Sequence, residues 1–239
     1  MAAVTLVHTN DLHGSLSQEK LPFLMSLRRG ADFYFDSGDC VKAGNLAMPI
    51  GVDPAWTMLA EARCDASVPG NRESHPLLSG KKAKFKGAAH NILCANWFDK
   101  RGQHVFPSHA FFDVPRGGRL AVFGVMVPMV TKGMATQAAS QFLWEPPIAT
   151  AVSLVAELKT KADFIIALTH IGLAQDKKLA LACPELDLIL GGHSHSVLEE
   201  PLVVEGVPIC QGGSHAKFVG RYSLEKGKGL VRAELVEWP

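Results

Sequence analysis

Two aspartates, one asparagine and four histidines stand in five short polar motifs, each directly after an apolar run that reads as a β-strand. The motifs are Asp11-Leu12-His13, Gly38-Asp39, Gly70-Asn71, Thr169-His170 and Gly191-Gly192-His193-Ser194-His195. Alone, each means little, because a histidine after a strand is commonly a surface or hydrogen-bonded residue. Together they offer more hard and borderline ligands than one metal ion takes, which points to a site for two. Oxygen and imidazole donors suit Mn²⁺, Fe²⁺/Fe³⁺, Zn²⁺ or Co²⁺ and give no cue for copper or an iron–sulfur cluster, which would want thiolate. Asp11 and His13 lie close enough along the chain to reach one ion. His193 and His195 repeat that spacing after a Gly-Gly turn, where missing side chains let the backbone approach the site. Asp39 is the natural bridge, because a carboxylate can hold two cations about 3.5–4 Å apart and offset their repulsion.

The positioning elements read as an alternation of strands and helices. Val4 to Thr9, Phe33 to Asp36, Ala66 to Pro69, Asn91 to Ala95, Phe164 to Thr169 and Asp187 to Leu190 are short strand-like runs, several apolar throughout, as strands buried on both faces tend to be. Ser15 to Arg29 has helical spacing and ends in Arg28-Arg29-Gly30, which suits a helix C-terminus. Asp53-Pro54 opens a second helix with Asp as N-cap and Pro at the first helical position. Pro146-Pro147 precedes a third, from Ile148 to Lys161, and Asp176 to Ala182 is a fourth. Hairpins are expected at Pro115-Arg116-Gly117-Gly118, Glu205-Gly206 and Lys226-Gly227-Lys228-Gly229. The expectation is an α/β fold with parallel crossovers early and antiparallel hairpins late. In open α/β sheets ligands bind beyond the carboxyl ends of the strands, and every proposed metal ligand sits there.

The chain's 239 residues suit one large domain, taken as residues 1–239, with no repeat, low-complexity tract or convincing linker. Lys plus Arg (24) nearly balance Asp plus Glu (23), so a net charge of +1 gives no general attraction to nucleic acid or anionic lipid. Cys40, Cys64, Cys94, Cys183 and Cys210 are scattered, with no Cys-x-x-Cys pair, which fits a reducing, cytoplasmic setting. No apolar run approaches the ~20 residues of a membrane span. The first strand begins almost at the initiator Met, leaving no room for a secretory leader.

The residues also carry a family resemblance. Thr9-Asn10-Asp11-Leu12-His13-Gly14, Asp36-Ser37-Gly38-Asp39, Gly70-Asn71, Thr169-His170-x-Gly172 and the Gly191 to His195 block resemble the signature blocks of calcineurin-like metallophosphoesterases, in the 5′-nucleotidase and cyclic-nucleotide phosphodiesterase branch. Pro208 to Ser214 and Lys217 to Gly220 are similar to that branch too, so the likeness runs from residue 4 to about residue 225. It implies a four-layer α/β/β/α sandwich with two mixed sheets, which periodicity alone does not yield. It implies that Asp11, His13 and His195 hold one divalent ion and Asn71, His170 and His193 the other, with Asp39 bridging. The expected chemistry is hydrolysis of a small phosphorylated substrate, a phosphate mono- or diester such as a nucleotide, by a hydroxide held between the ions. No protein nucleophile is needed, and no Gly-x-Ser-x-Gly elbow, Walker loop or Gly-x-Gly-x-x-Gly fingerprint is present.

Two departures from the family pattern bear on activity. The family's Gly-Asn-His-Glu block is here Gly70-Asn71-Arg72-Glu73, so Arg72 stands where a histidine stabilises the transition state or protonates the leaving group. Arginine keeps the charge but cannot act as a general acid near neutral pH. His75, where the family commonly has an aspartate, is the candidate proton source. The second departure is an absence: secreted 5′-nucleotidases carry a further C-terminal domain whose aromatic residues clamp the base, whereas this chain stops at Pro239, so substrate choice is expected from loops of this domain or from a partner subunit.

Other residues weigh less. Lys81, Lys82, Lys84 and Lys86 read as a solvated helix face. His8 reads as a hydrogen bonder behind the ligands or a core histidine. His215 is a candidate for substrate contact or an exposed loop residue, and His90, His104 and His109 read as structural or surface. Cys40 and the four tryptophans read as packing residues.

The leading expectation is a dinuclear phosphoesterase. The alternative from another class is a protein of the same fold that has lost turnover, binds metal or ligand, and acts by interaction. A mononuclear hydrolase of a non-phosphate ester is a third, which metal analysis showing two ions per chain would exclude. Loss of the histidine predicts a preference for good leaving groups such as aryl esters or anhydrides. Arg72→His should therefore raise alkyl phosphate turnover relative to aryl, and an unchanged ratio in steady-state kinetics would sink the idea.

Overall fold

A computed structural model describes residues 3–239, so the first two residues of the expected 1–239 domain lie outside the described region. In chain order the strands are β1 (Ala3–Thr9), β2 (Phe33–Asp36), β3 (Ala66–Ser67), β4 (Asn91–Ile92), β5 (Trp97–Asp99), β6 (His109–Asp113), β7 (Arg119–Met126), β8 (Phe142–Trp144), β9 (Phe164–His170), β10 (Leu188–Gly191), β11 (Leu202–Val204), β12 (Val207–Cys210), β13 (Phe218–Glu225) and β14 (Gly229–Glu237). The helices are α1 (Leu21–Arg29), α2 (Pro54–Glu61), α3 (Leu78–Lys84), α4 (Pro147–Leu158) and α5 (Leu173–Ala182). One sheet has the order β14-β13-β1-β2-β3-β4 and a second β11-β12-β10-β9-β7-β6, with β5 and β8 forming a small ribbon.

Both large sheets are mixed. In the first, β1 to β4 run parallel and β13 joins β1 antiparallel. In the second, β7, β9, β10 and β12 run parallel, with β6 and β11 antiparallel at the edges. The early crossovers and the expected hairpins are present, and β12 adds a link, closing the β11 hairpin on one side and lying parallel to β10 on the other.

The fully apolar strands are explained by a core on each of their faces. On β9, Phe164, Ile166 and Leu168 point into the space between the sheets, where they meet Val4, Leu6 and Phe35. Ile165 and Ala167 point the other way, onto Leu154, Val155 and Leu158 of α4 and Leu179 of α5. On the far side of the first sheet, Val7 and Tyr34 pack under Leu24 of α1 and Trp56 and Leu59 of α2. The result is helix, sheet, sheet, helix, the four layers expected.

Local chemistry accounts for the element ends. Asp53 caps α2 as read, its Oδ1 accepting from Ala55 N at 3.0 Å with Pro54 beside it. The first helix starts at Leu21 rather than Ser15. Gly14 to Lys20 is instead a loop whose Leu16 is buried, and Ser17 O accepts from Leu21 N at 2.9 Å. The run Asn91 to Ala95 is only partly a strand of the first sheet. After Leu93 N donates to Ser67 O, Cys94 N donates to Pro107 O and Ala95 N to Gly124 O, so the segment changes partners and crosses toward the second sheet. Gly124 permits that crossing, because a Cβ there would overlap Leu93 O.

All five cysteines are free and buried. Among the described residues no helix is long and apolar enough to cross a membrane. Leu168, fully buried between the sheets, should be costly to truncate: Leu168→Ala is expected to lower stability by about 2–5 kcal/mol in urea unfolding, and a loss under about 1 kcal/mol would mean that the inter-sheet core is not close-packed.

Candidate metal centre

The carboxyl ends of both sheets meet at one place. Asp11 and His13 follow β1, Asp39 follows β2 and Asn71 follows β3, while His170 ends β9 and His193 and His195 follow β10. All seven predicted ligands converge there. Asp11, Asp39 and His170 form a buried floor, with His193 and His195 exposed above it. The loops reach this arrangement with unusual backbone: Asp11 (φ 51), His13 (φ 50), Asp39 (φ 54), His193 (φ 75) and His195 (φ 55) all lie in the left-handed region. Non-glycine residues seldom sit there, and such strain concentrates where function over-determines the conformation.

The donor atoms form two groups. Asp11 Oδ1 lies 3.3 Å from His195 Nε2 and 3.7 Å from His13 Nε2, and the two imidazole nitrogens are 2.9 Å apart. Asn71 Oδ1 lies 3.2 Å from His170 Nε2 and 2.9 Å from His193 Nδ1. Asp39 sits between, with Oδ1 3.5 Å from His170 Nε2 and Oδ2 4.0 Å from His13 Nδ1. Four donors about 2.1 Å from a tetrahedral ion stand about 3.4 Å from one another, so these spacings match a shared cation. Asp11 Oδ1 is buried without any hydrogen-bond partner, a costly state that a cation would relieve, and His13 Nδ1 is orphaned on the ring edge that faces Asp39 rather than Asp11 and His195. On chemistry and spacing, the residues fit divalent ions.

Electrostatics agree. Burial pushes His13 down to about 4, with Arg72, His195 and His215 adding to that effect and Asp39 opposing it, so the ring is neutral and its lone pair free. Burial also disfavours charge on His170, but the Asp39 carboxylate outweighs it and lifts the ring to about 9. Burial likewise works against the Asp39 anion, yet His170 holds its carboxyl below the usual range. Asp39 and His170 thus share charge in a way that a cation beside them would replace.

A set of buried hydrogen bonds orients these side chains. His170 Nδ1 donates to Ser37 O at 2.7 Å, turning Nε2 toward the site. Asn10 Nδ2 donates to Asp11 Oδ2 at 2.8 Å and to Gly213 O at 2.7 Å. Thr169 Oγ1 donates to Asp176 at 2.7 Å, Gln211 Nε2 donates to the other Asp176 oxygen at 2.9 Å, and Ser194 Oγ donates to Gln211 Oε1 at 2.9 Å. That chain fixes the loop carrying His193 and His195. Glu73 is buried and accepts from Asp39 N, Gly70 N and Val41 N at 2.8–3.0 Å, which pins the Asp39 and Gly70 turns together. His8 Nε2 lies 2.9 Å from Ser37 Oγ, behind the ligands as one of its two readings had it.

Several residues stand differently from expectation. Lys84 is buried, not part of a solvated face: its ammonium donates to Gly44 O at 2.6 Å and to Arg72 O. Its tetrad neighbours gave no sign of this, because only the turn of α3 tells one lysine from the next. His75 is buried, and its Nδ1 accepts from Leu77 N at 3.0 Å. Among the described residues no direct hydrogen bond joins His75 to Arg72 or to a candidate ligand. Arg72 itself is in place, with its backbone N donating to Asp39 Oδ1 at 2.7 Å and its Nε 3.9 Å from Asp39 Oδ2. His215 does return to the site, its ring centroid 4.8 Å from that of His13. His90 bonds Ser67 Oγ at 2.8 Å and is structural, and Cys40 packs in the helix-side core.

The family model for calcineurin-like phosphoesterase matches residues 4–197. The chain belongs to that family. A 5′-nucleotidase of Vibrio vulnificus (strain CMCP6) is 27% identical over 96% of this chain and 50% of that protein. The uncharacterized metallophosphoesterase YunD of Bacillus subtilis (strain 168) is 28% identical over 90% of this chain and 48% of that protein. A crystal structure of a 5′-nucleotidase precursor from Thermus thermophilus superposes with a TM-score of 0.77 at 23% identity, covering 99% of this chain and 54% of that one. At that identity the structural likeness speaks for the fold. The chain spans about half the length of these relatives.

In this calcineurin-like phosphoesterase, Gly70 lies close against Asp39. A Cβ there would overlap Asp39 Oδ1 and lie 2.6 Å from Asp39 N. Gly70→Ala should displace Asp39 and weaken Mn²⁺ binding by about tenfold or more in calorimetry, with little change in far-UV circular dichroism. Binding equal to the parent protein would show that the close approach is dispensable.

Proposed function

We propose that this chain is a dinuclear, metal-dependent phosphoesterase acting on a small phosphate mono- or diester, with nucleotides the first class to test. The observation that carries the reading is the pair of donor groups on either side of Asp39, one holding a buried orphaned carboxylate oxygen. Asp11, His13 and His195 would hold one ion, Asn71, His170 and His193 the other, and Asp39 both. When bound, two such ions supply an activated water and charge for the phosphoryl oxygens.

The chain's own residues do the rest. The buried floor keeps ligands in place, and the exposed His193 and His195 leave the upper face open to a substrate from solvent. Arg72 places a permanent cation beside Asp39, suited to an equatorial phosphoryl oxygen but unable to give a proton to the leaving group. Its backbone is held by Lys84 and its guanidinium by Lys42 O at 3.1 Å. His215 stands at the rim next to His13 and would touch what the substrate carries beyond the phosphate. The relatives described as 5′-nucleotidases favour nucleotides as that class.

A second reading has its own observation. The Arg72 guanidinium lies near the bridging carboxylate, so it competes with an ion for Asp39; a protein that binds metal or ligand but turns over little would follow. Metal analysis combined with hydrolysis of an aryl phosphate, then of mononucleotides, cyclic nucleotides, diesters and sugar phosphates, separates the two. With Mn²⁺, Fe²⁺, Zn²⁺ or Co²⁺ the enzyme reading expects two ions per chain and chelator-sensitive turnover. Asp39→Asn should lower that turnover by about a hundredfold or more. Two bound ions without turnover on any substrate would favour the second reading.

A further inference from the structure

Asn71 can present either end of its amide to the candidate second ion. Only Oδ1 has a lone pair to give, so the orientation of the amide decides whether that site has three donors or two. Oδ1 faces His170 Nε2 at 3.2 Å and His193 Nδ1 at 2.9 Å. Since His170 Nδ1 already donates to Ser37 O, Nε2 is the ring nitrogen turned toward Asn71 and the candidate ion. A flipped amide would turn Nδ2, which has no lone pair to give, toward the rings and leave that site two donors.

One contact opposes the flip. Asn71 Nδ2 donates to Asn45 Oδ1 at 2.9 Å, and a flipped amide would set two oxygens against each other there. Asn45 belongs to the loop after β2, and that loop is tied down independently of Asn71. Lys84, buried beneath it, donates to Gly44 O at 2.6 Å and to Arg72 O, while Arg72 Nη1 donates to Lys42 O at 3.1 Å. The backbone on either side of the Asn45–Asn71 contact is thus joined by a buried ammonium.

We infer that Asn45 is a positioning residue for the second ion, fixing the Asn71 amide with Oδ1 toward His170 and His193. The inference rests on the dinuclear reading above. It assigns the loop between Asp39 and α2 a part in metal binding that none of its side chains performs by ligation. Asn45 is exposed, so its replacement should not disturb the fold.

The test is Mn²⁺ titration by calorimetry, with metal content after gel filtration, on the parent protein, Asn45→Ala and Asn45→Asp. Asn45→Ala should bind one ion as the parent does and the other about tenfold more weakly. Asn45→Asp keeps an acceptor toward Asn71 Nδ2 and should restore the second affinity. Two parent-like affinities in Asn45→Ala would overturn the inference and leave the dinuclear reading standing. Equal weakening in both variants would overturn it too, because the acceptor would then not be what matters. A parent protein that binds fewer than two ions would overturn the dinuclear reading itself.

Discussion

The Asp39 carboxylate is the constraint on which the rest of the site depends. Its carbonyl accepts from His13 N at 2.8 Å, its N–H donates to Glu73, its Oδ1 accepts from Arg72 N and faces His170. One residue therefore ties the loops after β1, β2 and β3 to a histidine of the other sheet. A buried anion is expensive unless neutralised. Meeting that cost requires every neighbouring loop to turn inward, which accounts for the left-handed backbone at the candidate ligands and for a glycine at position 70.

The charges around Asp39 are not balanced in the ordinary way. Glu73 and Asp176 are satisfied by backbone amides, a hydroxyl and a side-chain amide, and burial raises both carboxyls, Asp176 to about 7. Asp36, bonded to Thr9 Oγ1 and Gly38 N, is pushed up by burial to about 8. In these three acids burial works against the charge. At Asp39 the balance is reversed, because His170 lowers its carboxyl, and Asp11 Oδ1 has no hydrogen-bond partner at all. The floor of the site is thus short of positive charge where two donor groups converge, and Arg72 and Lys84 reach it only from one side.

Most of the candidate ligand set was legible because it is written in short-range terms: a carboxylate or imidazole just past an apolar strand, at a spacing two residues wide, beside glycine. Asp11, His13, Asp39, His193 and His195 all yield to that reading. The pairing of the two sheets was not legible, since strands buried on both faces look the same whichever sheet they join, and it came only with the family resemblance. Lys84 was misjudged for a related reason. Whether a polar residue in a helix or turn faces water depends on what covers it, and the cover here is the loop after β2, distant in sequence. Leu16 misled in the same way: its apolar spacing with Leu21 and Leu24 is helical, but it is buried from a loop. Asn45 carries no signal of its own, because an asparagine in a polar loop is unremarkable until its partner is seen.

The candidate ligands are divided between the sheets. Asp11, His13, Asp39 and Asn71 belong to the first, and His170, His193 and His195 to the second. Each of the two donor groups takes members from both. Ions held there would act as clasps between layers otherwise joined by apolar packing, and their binding free energy would add to the work of separating the halves, growing with the logarithm of free ion concentration. Ions bound there would in this way make the cohesion of the sandwich answer to metal supply.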